Sequence, residues 1–355
     1  MSYCINPKCS ARCNPDPLEH CQACTTPLLI QGRYRLIRPL RELDEWGHTE
    51  IFEVDDQGVS KVLKILKNPR LLPLFEREVK TLQQLQHLGI PQVESDGYFL
   101  FALNNGPEIH CLVMEKITGE NLEQWMEKRG AIDQALALKW LGQLAEILDQ
   151  VHRNELFHRD IKLSNIMLRP NGQLALIDFG TVRQVTNTYL AKIGGRRDVT
   201  SIVSPGYTPL EQINGKAVPQ SDFYALGRSF VYLLTGKHPV DFDEDNQTGR
   251  LNWRDHAPQI LPWLANLIDD LMAPFPGQRP LNAQEILRRL AKGPTWPQQR
   301  IASKSYIRLL VAVNIGLLIM QIVVIGWKGF SLRQQRLNQG SDSRAEMIES
   351  RVISS

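Results

Sequence analysis

The chain predicts an α+β fold, and three local patterns carry that prediction. Lys61-Val62-Leu63-Lys64-Ile65-Leu66 is strand-like, and its two-residue period puts Val62, Lys64 and Leu66 on one face. Leu71, Leu74, Phe75, Val79, Leu82 and Leu85 then recur at helical spacing. Further on, Ile166-Met167-Leu168 runs out as a short apolar strand, Arg169-Pro170-Asn171-Gly172 turns, and Leu174-Ala175-Leu176-Ile177 returns. A second helix opens at Asp222-Phe223-Tyr224-Ala225-Leu226-Gly227 and ends at Thr235-Gly236, where glycine supplies a left-handed stop.

The hairpin also places chemistry. Asn165 precedes its outgoing strand and Asp178 follows the returning one, so an amide oxygen and a carboxylate meet at one end, as Mg²⁺ requires. Immediately upstream, His158-Arg159-Asp160-Ile161-Lys162-Leu163-Ser164-Asn165 adds a base and a cation. Phosphoryl transfer demands positioning and charge neutralisation more than covalent help, and this segment offers both. On the first helix, Glu78 is the partner expected for Lys64, with a solvated face for both Glu76 and Glu78 as the alternative. Cys111-Leu112-Val113-Met114-Glu115-Lys116-Ile117 is a buried-looking strand that runs into a polar stretch.

Taken in order, these residues resemble the signature set of the protein kinases. The resemblance implies a two-lobed protein kinase fold, with a small β-rich N-lobe and a large helical C-lobe, over residues 34–293. It makes Asp160 the acceptor of the proton from a substrate hydroxyl and gives Lys162 the charge on the transferring phosphoryl. Lys64, fixed by Glu78 of Arg77-Glu78-Val79, would face the ATP phosphates, Val62 the adenine, and Met114 would stand in the gatekeeper place. Asn165 and Asp178 would hold Mg²⁺. Ser204-Pro205-Gly206-Tyr207-Thr208-Pro209-Leu210-Glu211 looks like the close of an activation loop, with Arg279 as partner for Glu211, and Asp222 would hold the catalytic-loop backbone. Lys162 after Asp160 resembles Ser/Thr-directed enzymes. The expected function is therefore Mg-ATP-dependent phosphorylation of protein serines and threonines. A pseudokinase scaffold and a zinc-dependent interaction module are the alternatives.

Two features bear on activity. The phosphate-covering loop, Leu43-Asp44-Glu45-Trp46-Gly47-His48-Thr49-Glu50-Ile51, has a single glycine, with Asp44, Trp46 and Thr49 falling where glycines are expected. Side chains there hinder approach of amides to phosphate, and Asp44, Glu45 and Glu50 are expected to repel a triphosphate. Arg159 could pair with a phosphate on the activation loop, for which Thr200, Ser201 and Ser204 are candidates among Arg183, Lys192, Arg196 and Arg197.

Ahead of this region, Cys4, Cys9, Cys13, Cys21 and Cys24 fall in the first 24 residues, among too few apolar side chains to make a core. Such a segment needs a staple, and in the reducing compartment of an ATP-using kinase a structural Zn²⁺ held by Cys4, Cys9, Cys21 and Cys24 is favoured over disulfides. Residues 1–28 are thus read as a zinc-ribbon-like cap. Cys13 is left over, either to replace Cys9 or to stay a free thiol, and a fifth thiol also admits redox sensing. With Cys4-Ile5-Asn6-Pro7, Asn14-Pro15-Asp16-Pro17 and Cys21-Gln22-Ala23-Cys24 joined to Tyr34-Arg35-Leu36-Ile37, the chain resembles the four-cysteine Ser/Thr kinases of cyanobacteria from residue 1 to about 290.

The remainder of the 355 residues is a polar linker (294–306), an apolar stretch (307–327) and a polar tail (328–355). Leu309 to Trp327 is apolar except for Asn314 and Gln321, and at about 1.5 Å per residue it spans roughly 28 Å, close to the hydrocarbon thickness of a bilayer. A single-pass transmembrane helix follows, although a buried or partner-binding helix fits the same residues. Lys and Arg flank both sides, so orientation rests on the need for cytoplasmic ATP. The formal charge is only +3 and no basic run is interleaved with aromatics, so nucleic-acid binding is not expected. No internal repeat and no N-terminal signal-like segment is seen.

Overall fold

A computed structural model describes residues 1–293 except 17, 45, 46, 105, 182 and 185–202. Met1–Gly293 forms one unit and Pro294–Ser355 another. The linker, the apolar stretch 307–327 and the tail lie outside the described residues, as do Trp46, Lys192, Arg196, Arg197, Thr200 and Ser201. Among the described residues no helix is long and apolar enough to cross a membrane.

The N-terminal segment pairs β1 (Ser2–Tyr3) with β2 (Cys13–Asn14). It leads into a six-stranded antiparallel sheet built from β3 (Leu29–Ile30), β4 (Tyr34–Pro39), β5 (Thr49–Asp56), β6 (Val59–Leu66), β7 (Tyr98–Ala102) and β8 (Glu108–Glu115). The strand order is β3-β4-β5-β6-β8-β7. Alternation sorts the side chains between two faces. Phe52, Val54, Leu63 and Ile65 join Ile5, Ile30 and Leu36 in a core between sheet and N-terminal segment. Leu66 and Leu112 face the other way, into the large core shared with α1 (Leu72–Gln84). That helix buries Phe75, Val79 and Leu82 as its period predicts; Glu78 is buried with them and Glu76 is exposed.

The large lobe follows β9 (Glu120–Asn121) and α2 (Leu122–Arg129). Its centre is α3 (Gln134–Arg153), started by Asp133, whose side chain accepts the Leu136 N–H at 2.8 Å. Trp140, Leu141, Leu144, Ile147 and Leu148 line its buried face. After β10 (Leu156–Phe157) comes the predicted hairpin, β11 (Ile166–Leu168) and β12 (Leu174–Leu176), in the register Ile166 opposite Leu176. β13 (Arg183–Gln184) pairs with β10. The chain closes with α4 (Leu210–Ile213), α5 (Pro219–Thr235), α6 (Pro262–Leu271) and α7 (Ala283–Lys292). α5 begins three residues before Asp222, because Pro219 is well suited to a first helical turn, and stops at Gly236 with φ 71° as expected.

Candidate active site

One buried carboxylate shapes the loop between β10 and β11. Asp222, in the first turn of α5 and fully buried, accepts the backbone N–H groups of His158 at 2.8 Å and Arg159 at 2.7 Å. It also contacts His152 Nε2 at 2.9 Å. These bonds hold Arg159 at φ 73°, a conformation costly for a residue with a side chain. Burial lowers the His158 pKa and keeps the ring neutral. Its Nε2 lies 3.2 Å from the Ile177 carbonyl, which fixes the proton there, and its ring meets Phe179 edge-on at 4.9 Å. The role expected of Asp222, bracing the loop, is the role it has.

The brace presents Asp160 to three partners. Asn165 Nδ2 donates to the Asp160 carbonyl and to its Oδ2, both at 2.9 Å. Lys162 Nζ lies 3.0 Å from the same Oδ2. On the other oxygen, the Ser204 hydroxyl donates at 2.7 Å to Oδ1, while accepting from Lys162 Nζ at 3.2 Å. A hydroxyl is thus held between a carboxylate that can take its proton and an ammonium that can neutralise an oxyanion. Ser204 was one of three candidate modification sites; its hydroxyl is hydrogen-bonded to Asp160 and Lys162 rather than turned to water alone.

A second cluster joins the lobes. Lys64 Nζ donates to both carboxylate oxygens of Glu78 at 2.8 Å and reaches Asp178 Oδ1 at 3.3 Å. Burial alone would lower the Lys64 pKa, but the Glu78 and Asp178 carboxylates outweigh it and raise it. Lys64 is the main reason that Asp178 is held well below the usual carboxylate range, so Asp178 is ionised at neutral pH. Gly180 packs so tightly here that a Cβ would stand 3.2 Å from both Glu78 Oε2 and Lys64 Nζ. The hairpin ends meet as expected, with Ile177 N–H donating to the Asn165 carbonyl at 2.9 Å. Asn165 spends its amide N–H groups on Asp160, which leaves its side-chain oxygen as an acceptor on the hairpin end that also carries the ionised Asp178. Hard oxygen donors of this kind fit Mg²⁺. Met114 sits directly opposite Val62 between β8 and β6, partly buried against the large core.

Sequence reasoning missed Arg41. It follows β4 and places Nη2 3.3 Å from Asp178 Oδ2. A contact across 137 residues from an irregular loop leaves no periodic signal. It misjudged Glu50, which does not face the cleft as a repelling charge. Glu50 shares the buried face of β5 with Phe52 and Val54, and it is neutralised by Arg12 Nη1 at 2.8 Å and Lys67 Nζ at 3.4 Å. The Glu211 to Arg279 pair formed as expected, at 2.6 Å, with the Arg279 side chain fully buried.

The sulfurs of Cys4, Cys9, Cys21 and Cys24 all lie within 4.8 Å of one another. Cys4 and Cys24 are 3.5 Å apart, and Cys9 and Cys21 3.6 Å. Zinc bonded to four sulfurs at about 2.3 Å separates them by about 3.8 Å, so the cluster has the size of a tetrathiolate and is far too open for disulfides. Cys13 is exposed and lies against Met1 Sδ at 3.5 Å, outside this group.

The family model for the protein kinase domain matches residues 54–306. Among curated proteins the chain is similar to "Serine/threonine-protein kinase B" of Synechocystis, 32% identical over 311 residues, 82% of this chain and 52% of the relative. It is 33% identical to "Serine/threonine-protein kinase PknA" of Nostoc over 77% of this chain and 50% of the relative. It is 35% identical to "Serine/threonine-protein kinase C" of Synechocystis over 72% and 49%. The chain spans about half the length of the curated relatives it matches. With Lys64, Glu78, Asp160, Asn165 and Asp178 assembled in one cleft and the family model covering most of the chain, the protein belongs to the protein kinase family.

Proposed function

We propose that this protein is a Mg-ATP-dependent serine/threonine protein kinase that transfers the γ-phosphoryl group to protein hydroxyls. The observation that carries the reading is the engaged cleft: Lys64 touches both Glu78 and Asp178, while Asp160 already has a hydroxyl in hydrogen bond. A scaffold without catalysis has no need of that full set.

In this reading the substrate hydroxyl takes the place that Ser204 Oγ marks; Asp160 accepts its proton as the oxygen bonds to the γ-phosphorus, and the bond from that phosphorus to the bridging oxygen breaks, releasing ADP. Lys162 faces the charge that develops on the transferred group. Lys64, aligned by Glu78, holds the nucleotide phosphates. Asn165 and Asp178 would hold Mg²⁺, which neutralises phosphate charge when bound. His158 and Asp222 keep the loop in shape without touching the reactants. Similarity to kinases named as serine/threonine-specific supports the choice of acceptor.

Residues 1–28 would bind structural zinc through Cys4, Cys9, Cys21 and Cys24, and residues 307–327 would tether the kinase to a membrane on its cytoplasmic side. The proposal is tested by incubating the purified chain with γ-labelled ATP and mapping phosphorylated residues. Transfer to serine or threonine, abolished by Asp178→Asn, is the expected result. No transfer by the unaltered protein, or transfer to tyrosine, overturns it. Recovery of the chain in a washed membrane fraction, and its release when 307–327 is deleted, tests the tether.

A further inference from the structure

The connection between β4 and β5 is the one that the kinase reading sets over the nucleotide phosphates, yet Gly47 is its only glycine. Side chains along such a loop keep backbone amides away from phosphate oxygens. A different donor stands there. Leu40 N–H bonds to the Ile51 carbonyl at 2.8 Å, one step beyond the β4–β5 ladder, and Arg41 comes next. Its side chain is 54% exposed, with Nη2 3.3 Å from Asp178 Oδ2. Lys64 lies the same distance from Oδ1, so the carboxylate is flanked by two cations. The loop itself is fixed from behind, through Lys67 Nζ donating to the Asp44 carbonyl at 2.6 Å.

We propose that Arg41 is the phosphate-binding residue of this loop, resting on Asp178 in the nucleotide-free protein and turning to the nucleotide's terminal phosphates when Asp178 takes its metal. The exchange leaves neither group without an opposite charge. Asp178 gives up a guanidinium and gains a divalent cation, and the released guanidinium meets an anion that its planar fork can bind through two N–H groups. A long side chain on a fixed loop supplies what glycine amides supply elsewhere. A guanidinium that only blocked the metal position would act in the opposite direction, and its removal would strengthen nucleotide binding.

This inference rests on reading the cleft as an ATP site, and binding to the full chain separates the two. Unaltered protein, Arg41→Ala and Arg41→Lys are titrated calorimetrically with ATP, ADP and adenosine in the presence of Mg²⁺. Arg41→Ala is expected to weaken ATP and ADP about tenfold or more, the scale of one charge-assisted contact, and to leave adenosine within about twofold. Arg41→Lys should recover part of the loss. ATP binding by Arg41→Ala that equals or exceeds that of the unaltered protein overturns the inference, as does an equal loss for ATP and adenosine. Failure of the unaltered protein to bind ATP at all overturns the nucleotide site itself.

Discussion

Replacing Arg12 by alanine should destabilise the protein by about 3 kcal/mol, because one side chain fastens the cysteine segment to the small lobe. Arg12 Nη1 and Glu50 Oε2 are 2.8 Å apart, with only 11% and 4% of their side chains exposed. At an effective dielectric near 20, opposite charges about 4 Å apart attract by about 4 kcal/mol, and breaking a buried pair typically costs about 3 to 5 kcal/mol. The pair is close but off the N–H direction, since Glu50 Oε2 makes no aligned hydrogen bond, and Lys67 remains beside Glu50. Both facts favour the lower end. Arg12 also lies 5.1 Å over the Phe52 ring and donates to the Cys4 carbonyl at 3.0 Å, and the loss of these contacts adds to the cost. Denaturant unfolding of Arg12→Ala, Glu50→Gln and the double variant gives the coupling directly. A coupling energy of about 1.5 kcal/mol or more is expected. An Arg12→Ala cost below about 1 kcal/mol, or additive effects of the two changes, would refute the reasoning.

Other outcomes follow from the same geometry. Asp222→Ala removes the acceptor of two buried backbone N–H groups, so it should cost about 3 kcal/mol in unfolding experiments. His158 is held below its usual pKa by burial, so an unfolded chain takes up this proton first; stability should be lost as pH falls below about 6.5, and His158→Gln should flatten that loss by up to about 1.4 kcal/mol per pH unit. Metal analysis should find one zinc per chain, unchanged in Cys13→Ser and lost in Cys9→Ser; retention in the latter would reassign the ligands.

Much of this was legible beforehand where a period or a turn fixes geometry. The hairpin brought Asn165 to Asp178 because strand length and turn chemistry determine where its ends fall. Glu78, named as the partner of Lys64, meets it on the buried side of α1, while Glu76 is exposed. Glu50 was misread for an equally physical reason: two-residue alternation groups it with Phe52 and Val54, but alternation does not say that a basic residue from another segment covers that face. Spacing alone did not exclude Cys13 from the metal group, since exclusion depends on how β1 and β2 pair. Ser204 was one hydroxyl among several until the loop placed it on Asp160.

The account turns on Asp160 as the proton acceptor for an attacking hydroxyl. Single-turnover transfer from ATP, with the protein saturated by nucleotide, isolates that step. Asp160→Asn should retain ATP affinity within about twofold and slow the transfer by about 10² to 10⁴. Transfer at an unchanged rate, with nucleotide bound equally well, would contradict it.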